Sequence, residues 1–325
     1  MSIGLLEISA VLGGFVLLVW GADKFVLGAA GTARSLGVAP LIIGLVVVGF
    51  GTSAPEMLVS GLAAYEGNPG LGVGNALGSN ITNIGLVLGL TALFTPLTVH
   101  SETLKREFPV LFIVTALVFV LFYNGYFGFW DGVILLFGLL VFVIWMVRLA
   151  MTSRKSDPLA KEAEEELPEE IALPKAIFWL VAGLLILLLG ARLVVWGAVE
   201  IAHAFGISDL VIGLTIVAIG TSLPELAASI IGARRGEHDL VIGNIIGSNL
   251  FNSLGVLGLP ALLQPAVLDE NVLFRDYSVM VALTIFLYFM ARGLHGEFGK
   301  VTRVEGGVLV LVYTGYLAAL YVMSV

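Results

Sequence analysis

LIIGLVVVGFGTSAPEM, at residues 41–57, recurs as LVIGLTIVAIGTSLPEL at residues 210–226, with 10 identities in 17 positions and an offset of 169. A second stretch, GNALGSNITNIGLVLGL at 74–90, recurs at the same offset as GNIIGSNLFNSLGVLGL at 243–259, again with 10 identities in 17. Two blocks that share one offset indicate an internal duplication, because chance similarity would not reproduce the spacing. The chain is therefore predicted to contain two related halves.

The composition around these blocks is that of a membrane protein. Hydrophobic residues make up 58% of the 325 residues and charged residues 12%, whereas a soluble domain has about 25% charged residues. Apolar stretches of about 20 residues, each long enough to cross the hydrocarbon layer as a helix, recur along the chain. Because backbone polar groups in lipid need partners within the chain, we predict an all-α membrane protein whose main partner is the lipid bilayer.

Ten transmembrane helices are predicted, five on each side of one polar segment. Residues 1–151 and 174–325 each form a five-helix repeat, and residues 152–173 form an acidic linker. Because five helices, an odd number, separate equivalent positions, the two repeats are predicted to be inverted relative to each other. The predicted helices span 5–34, 38–65, 70–94, 104–124, 128–151, 174–204, 208–234, 239–263, 271–292 and 302–324.

The distribution of positive charge predicts the orientation. Thirteen of the 16 Lys and Arg residues fall in one set of alternate loops, and only Arg275 falls in the other. Since positive residues are retained on the cytoplasmic side, both termini are predicted outside and the linker in the cytoplasm, with the chain multi-pass in a cell (inner) membrane. Two further charges, Asp23 and Arg192, occupy equivalent positions within helices, and we interpret them as structural, paired with other groups or facing water.

Each copy of the first block places a proline before a glutamate in an apolar helix: Pro55 before Glu56 and Pro224 before Glu225. A proline within a helix removes one backbone donor, which is predicted to loosen carbonyl groups near each glutamate. An ionisable residue at membrane depth is costly and by default functional. Because this glutamate occurs twice at equivalent positions, we predict that both copies belong to one site.

Further oxygen atoms share a helix face with the glutamates or form equivalent pairs in the second block. Residues four positions apart project from the same side of a helix. The pairs with this spacing are Thr52 with Glu56, Thr221 with Glu225, Ser79 with Asn83, and Ser248 with Asn252. This set contains two carboxylates but no His, Cys or Met, which favours hard cations such as Ca²⁺ and Na⁺ over zinc or copper.

The charge of the site favours a divalent ion. Two carboxylates in a low-dielectric site repel each other, and one Ca²⁺ would neutralise both. The neighbouring amides Asn75, Asn80, Asn244 and Asn249 are equally consistent with packing and with ligation. The chain has no cysteine, which excludes disulfides and thiolate sites. No cofactor, nucleic acid or obligate protein partner is predicted.

The paired motifs GFGTSAPE with GNALGSNITN, and AIGTSLPE with GNIIGSNLFN, resemble the two alpha-repeats of the sodium/calcium exchanger family, a branch of the calcium:cation antiporters. The resemblance is closest to its small bacterial inner-membrane members. It implies a ten-helix fold in which helices 2, 3, 7 and 8 form the core and helices 1 and 6 are long, tilted and mobile. It also implies antiport of Ca²⁺ for Na⁺ without an enzymatic reaction.

The resemblance also assigns ligands residue by residue. The family's calcium ligands fall on Glu56, Glu225 and the backbone carbonyls of Thr52 and Thr221. Its sodium ligands add Ser79, Ser248 and backbone oxygens at Gly49 and Ala218, with Asn83 and Asn252 near the centre. Some members carry an aspartate at one of these two amide positions, whereas this chain has asparagine at both. Stoichiometry, and the choice between sodium and protons as the driving ion, therefore stay open.

Three other functions are weighed against sodium/calcium exchange. A proton-coupled or broader divalent cation antiporter would use the same oxygens. An ion channel is disfavoured because two carboxylates should hold Ca²⁺ tightly instead of passing it quickly. An intramembrane enzyme would need a nucleophile with a base partner, and the sequence offers no plausible pair.

Overall fold

The computed structural model describes residues 5–99, 101–153, 171–205, 218–269, 271–292 and 299–324. Nearly all of this part of the chain is helical, and the helix bounds lie close to those predicted from hydrophobicity. The helices are α1 (Leu5–Leu36), α2 (Pro40–Tyr65), α3 (Pro69–Phe94), α4 (Ser101–Phe122), α5 (Phe129–Ser153), α6 (Leu173–Ala204), α7 (Leu223–Arg234), α8 (His238–Leu263), α9 (Val272–Arg292) and α10 (Arg303–Ser324).

Eight of these helices are long and apolar enough to cross a membrane, namely all except α4 and α7. Helix α4 has 22 residues, but four of its first seven are charged. Helix α7 has 12 residues and follows a single helical turn, Ala218–Thr221. The start of the predicted seventh helix, at 208–217, and most of the predicted linker, at 154–170, lie outside the described residues.

Two short antiparallel strand pairs, which the all-helical prediction did not include, join the two halves. Strand β1 (Leu97–Val99) pairs with β4 (Gly299–Val301), and β2 (Tyr126–Phe127) pairs with β3 (Ala266–Val267). The first pair lies at the starts of α4 and α10, and the second lies between the end of α4 and the start of α9. Since α4 runs from the first pair to the second, the two pairs mark opposite ends of the helical bundle.

The core is built around α8, whose residues from Leu240 to Val256 are all buried. Helices α2 and α3 pack against it and bury their own small and polar residues. Gly44 and Gly49 on α2 bring its backbone against α8: a side chain at Gly49 would lie within 2.9 Å of the Ser248 amide nitrogen. Close approach of this kind is typical of small residues at membrane helix interfaces.

Helices α1 and α6 form a separate tight pair. Glycines recur every seven residues on both helices, at Gly14, Gly21 and Gly28 on α1 and at Gly183, Gly190 and Gly197 on α6. A Cβ atom at any of the six would lie within 3 Å of an atom of the facing helix. The 7-residue spacing keeps these glycines on one face, which allows the two backbones to pack directly against each other.

Candidate ion-binding site

The predicted site residues come from both halves and lie on α2, α3, α7 and α8 and on the turn before α7. Glu56 on α2 is fully buried, and Glu225 on α7 is 1% exposed. The side chains of Thr52, Ser79, Asn83, Ser248 and Asn252 are buried as well, whereas Thr221 is half-buried. Because charged and polar groups at membrane depth face other protein groups or water, this burial places the set inside the helix bundle.

Glu56 and Glu225 are both buried, on helices α2 and α7, which contact each other. All four of their carboxylate oxygen atoms are buried and accept no hydrogen bond from the described protein groups. Buried polar atoms are normally paired, so each exception indicates a role that the protein alone does not satisfy. A divalent cation would neutralise both charges and supply the partner that these oxygens lack.

The side chain of Thr52 connects the two halves. Its hydroxyl group lies 3.0 Å from the carbonyl of Val48, 3.3 Å from the amide oxygen of Asn244 and 3.5 Å from the hydroxyl of Ser248. Ser248 also approaches the Asn244 oxygen, at 3.5 Å, so Thr52 and Ser248 have two hydroxyl hydrogens for the four contacts among these oxygens, and two of the contacts have no hydrogen between them. Such a group of facing oxygens is suited to a cation.

Asn83 and Asn252 occupy equivalent positions and have similar local structure. Each is the first residue of a π-helical turn, at Asn83–Leu88 and Asn252–Val256. In such a widened turn each backbone hydrogen bond reaches one residue further along the chain than in an α-helix. Such turns are frequent at functional sites. Asn83 donates to the Asn249 amide oxygen at 3.2 Å. Within the described part of the chain, the amide oxygen of Asn83 and both amide atoms of Asn252 have no hydrogen-bond partner.

The two prolines lie in different backbone surroundings, a difference that the repeated motif did not predict. Helix α2 continues through Pro55 without a break. On the second half the helix is interrupted at Ser222, which has φ −91° and ψ 6°, and Pro224 lies in the first turn of α7. A proline is tolerated in a first turn because its missing amide hydrogen would have no helical partner there. The two copies of the motif therefore have different backbone geometry around the glutamates.

The backbone positions are described only in part. Gly49 lies at the contact between α2 and α8, so its backbone is next to Ser248. Ala218 begins the helical turn before α7, and the residues before it are outside the described part of the chain. The assignment of ligand roles to Gly49, Ala218 and the carbonyls of Thr52 and Thr221 stays a prediction.

Some site residues were not singled out from the sequence. The hydroxyl oxygens of Ser53 and Ser222 are buried and have no hydrogen-bond partner in the ranges that the structure describes. Both are the serine of a GTS motif, three positions before a glutamate, and this spacing could have identified them. The sequence favoured neither packing nor ligation for Asn244. Its side-chain oxygen lies within hydrogen-bonding distance of the Thr52 and Ser248 hydroxyls, and its side-chain nitrogen donates to the Ser229 hydroxyl at 3.1 Å. Asn244 therefore positions two of the predicted site residues.

The chemistry of the whole set fits hard cations. Within the described residues, no three His, Cys, Asp or Glu side chains cluster as a metal site. The donors are instead two carboxylates surrounded by hydroxyl and amide oxygens. Oxygen ligands of mixed charge bind calcium in flexible geometry, whereas zinc and copper sites use nitrogen or sulfur.

Comparison with known proteins agrees with this chemistry. Residues 6–148 and 175–322 match the family model described as sodium/calcium exchanger protein. The chain is 49% identical to CaxA of Alkalimonas amylolytica over 96% of its length and 97% of that protein. It is 43% identical to the inner membrane protein YrbG of Escherichia coli (strain K12) over 98% of both chains.

A solved structure shows the same architecture. The sodium-calcium exchanger NCX_Mj, soaked with 10 mM Na⁺ and zero Ca²⁺, superimposes with a TM-score of 0.83 at 35% identity, covering 97% of this chain and 99% of that one. The family match extends over both halves of the chain, so it includes the two repeated blocks and their glutamates. The resemblance seen in the motifs is confirmed: the chain belongs to the sodium/calcium exchanger family, whose members are membrane antiporters.

Proposed function

We propose that this protein exchanges Ca²⁺ for Na⁺ across the membrane as a secondary active antiporter. The observation that carries the proposal is the pair of buried glutamates, one from each half, whose four carboxylate oxygens have no hydrogen-bond partner among the residues that the structure describes. Calcium would bind Glu56 and Glu225 with the backbone carbonyls of Thr52 and Thr221. The relatedness to the sodium-calcium exchanger NCX_Mj supports sodium as the exchanged ion.

Sodium would use overlapping oxygens. In this proposal Na⁺ ions bind the same glutamates together with Ser79, Ser248 and the backbone at Gly49 and Ala218, close to Asn83 and Asn252. The 3.5 Å separation of the Thr52 and Ser248 hydroxyls supports this overlap, because it places Thr52, whose carbonyl is a proposed calcium ligand, next to Ser248, a proposed sodium ligand. Occupancy by one ion then excludes the other, and this exclusion couples the two fluxes without covalent chemistry.

The ion site would be exposed to the two sides of the membrane in turn. We take residues 1–151 and 174–325 as two inverted five-helix repeats, ten helices in all, with residues 152–173 as the acidic linker. Inverted repeats commonly alternate by rocking or sliding one bundle against another around a fixed site. Helices α1 and α6 pack as a pair through their glycines, which supports their motion as one body against the core.

The proposed location is a cell (inner) membrane, with both termini outside and the linker in the cytoplasm. The bias of Lys and Arg toward one set of loops supports this orientation. The relative YrbG is an inner membrane protein, which supports the location. A test is to label single cysteines introduced near each terminus with a membrane-impermeant reagent in intact cells, where both should react.

Proton coupling is the second candidate. Asparagine at both central amide positions leaves two carboxylates in the site, and this small number limits how many sodium ions it can compensate. A carboxylate can also carry a proton in place of a sodium ion. The same site would then exchange Ca²⁺ or another divalent cation for H⁺.

One experiment separates the two candidates. The purified chain is reconstituted into lipid vesicles, and calcium-45 uptake is measured under an outward sodium gradient, an outward proton gradient, or neither. We expect uptake with the sodium gradient that persists when the pH is equal on both sides. Uptake that follows only the pH gradient would establish proton coupling, and uptake that follows neither gradient would refute antiport.

A further inference from the structure

An ion pair joins the α1/α6 helix pair to the core at one end of the bundle. Asp23 on α1 accepts hydrogen bonds from the guanidinium of Arg235, including one from Nε at 3.1 Å, and Arg235 lies in the turn between α7 and α8. The two side chains are 33% and 35% exposed. Arg34, near the end of α1, pairs with Glu237 in the same turn. Helix α1 is therefore attached to the α7–α8 turn by two ion pairs.

The equivalent positions in the other half carry the opposite charges. The offset of 169 takes Asp23 to Arg192 on α6, and it takes Glu66, in the turn between α2 and α3, to Arg235. The two turns have the same backbone form, since Gly67 has φ 86° and its equivalent Gly236 has φ 78°. At one end, Asp23 on the helix pair faces Arg235 on the core. At the equivalent place in the other half, Arg192 on the helix pair would face Glu66 on the core.

The helix pair itself is symmetric. A Cβ atom at Gly21 would lie 2.5 Å from the backbone of Leu187, and one at Gly190 would lie 2.5 Å from the backbone of Leu18. The offset of 169 takes Gly21 to Gly190 and Leu18 to Leu187, so the two contacts are equivalent. In the same way, the contacts of Gly14 are equivalent to those of Gly183, and the contacts of Gly28 are equivalent to those of Gly197. Asp23 and Arg192 therefore lie at equivalent places on a two-fold symmetric body.

Only one of the two equivalent ion pairs is formed. In the described part of the chain, Arg192 and Glu66 are exposed and make no ion pair or side-chain hydrogen bond, whereas Asp23 and Arg235 are joined. Because the α1/α6 pair is symmetric and only one of the two equivalent ion pairs joins it to the core, we interpret the pair as occupying one of two equivalent positions relative to the core. Shifting it to the other position would bring Arg192 to Glu66, as Asp23 is now brought to Arg235.

We propose that Asp23–Arg235 and Arg192–Glu66 are alternating latches that hold the α1/α6 pair in its two end positions. This inference rests on the proposed alternating access, because an inverted repeat exchanges the conformations of its halves when the site changes sides. Because the charges are reversed between the two halves, each latch pairs one acidic residue with one basic residue. An exposed ion pair contributes at most about 1 kcal/mol, so removing one latch should change the ratio of the two states by up to about fivefold.

The absence of cysteine from the sequence makes a direct test available. Two double variants are prepared, Asp23→Cys with Arg235→Cys, and Glu66→Cys with Arg192→Cys, and each is treated in vesicles with a short bifunctional thiol reagent. We expect both pairs to become linked, and each link to stop calcium-45 uptake. Glu66→Cys with Arg235→Cys is the matched control: these positions lie in turns at opposite ends of the bundle and should not link.

A third substitution tests the balance between the states. Adding Asp23→Asn to the Glu66→Cys, Arg192→Cys protein removes the other latch and should raise its linking rate up to about fivefold, whereas Arg234→Gln, beside Arg235, should not change it. If Glu66→Cys and Arg192→Cys never link while the protein still transports calcium, the latch inference is wrong and the exchange function stands. If the unlinked wild-type chain moves no calcium under any gradient, the proposed function fails instead.

Discussion

The hydroxyl oxygens of Thr52 and Ser248 lie 3.5 Å apart, although 196 residues separate them in the chain. Thr52 belongs to the first repeated block of one half, and Ser248 belongs to the second block of the other half. Asn244 contacts both side chains and is itself held by Ser229. The two halves thus contribute to a single site, so a change in either half is expected to affect the same bound ion.

Removing either central carboxylate should abolish calcium transport. With Glu56→Gln or Glu225→Gln, one negative charge facing Ca²⁺ is lost, and removing one partner of a buried charge pair costs about 3 to 5 kcal/mol. We expect calcium-45 uptake in vesicles to fall by more than about a hundredfold. Glu200→Gln, at an exposed position on α6, is the control and should leave uptake unchanged. Wild-type uptake in either site variant would contradict the assignment.

Replacing the Thr52 hydroxyl by a methyl group should weaken ion binding without unfolding the protein. Thr52→Val keeps the shape of the side chain but leaves Asn244 and Ser248 without their neighbour, at a cost of about 1 kcal/mol. We expect a several-fold higher KM for calcium. Thr91→Val removes an equally buried hydroxyl that donates to Val87 in its own helix, and its KM should not change. Equal effects of the two substitutions would indicate a loss of stability only.

Adding a carboxylate at a central amide should change the coupling. Asn252 is 1% exposed, and its amide atoms have no hydrogen-bond partner among the described residues, so Asn252→Asp introduces a buried charge that a bound cation would compensate. We expect a steeper dependence of calcium flux on sodium concentration. Asn124→Asp adds the same charge in an exposed turn and should have no effect. An unchanged sodium dependence in Asn252→Asp would argue against a central position for this residue.

A methyl group in the contact between α1 and α6 should destabilise the protein. Gly21→Ala would place its Cβ 2.5 Å from the backbone nitrogen of Leu187, and overpacking of this kind costs about 1 to 3 kcal/mol. We expect a lower Tm of the purified protein, followed by tryptophan fluorescence. Gly13→Ala lies in the same helix with nothing within 4 Å of the added atom, and its Tm should be equal or slightly higher. Equal Tm values for the two variants would refute the close contact.

Much of the architecture could be predicted because the lipid environment makes hydrophobicity informative. The predicted first helix, 5–34, corresponds to α1 at Leu5–Leu36, and the predicted tenth, 302–324, corresponds to α10 at Arg303–Ser324. The paired glutamates could be found because a charge is rare in an apolar helix. The offset of 169 then shows that they are equivalent positions of the two repeats, and their assignment to one ion site stays a prediction.

Other features depend on contacts between distant segments, which a single sequence does not reveal. The strand pair between Leu97–Val99 and Gly299–Val301 joins residues about 200 positions apart. The widened turn at Asn83 and the break at Ser222 replace regular helix where polar residues from both halves meet. Sequence symmetry also concealed a real difference, since Pro55 lies within a continuous helix and Pro224 near the start of another.

The two strand pairs have a mechanical consequence. They connect the segments around α4, α9 and α10 at both ends of the bundle, and neither α1 nor α6 takes part in them. The backbone hydrogen bonds of each strand pair link the first half to the second half outside the candidate ion site. In the proposed mechanism, the α1/α6 pair would move within this frame, which is fastened at both ends of the bundle.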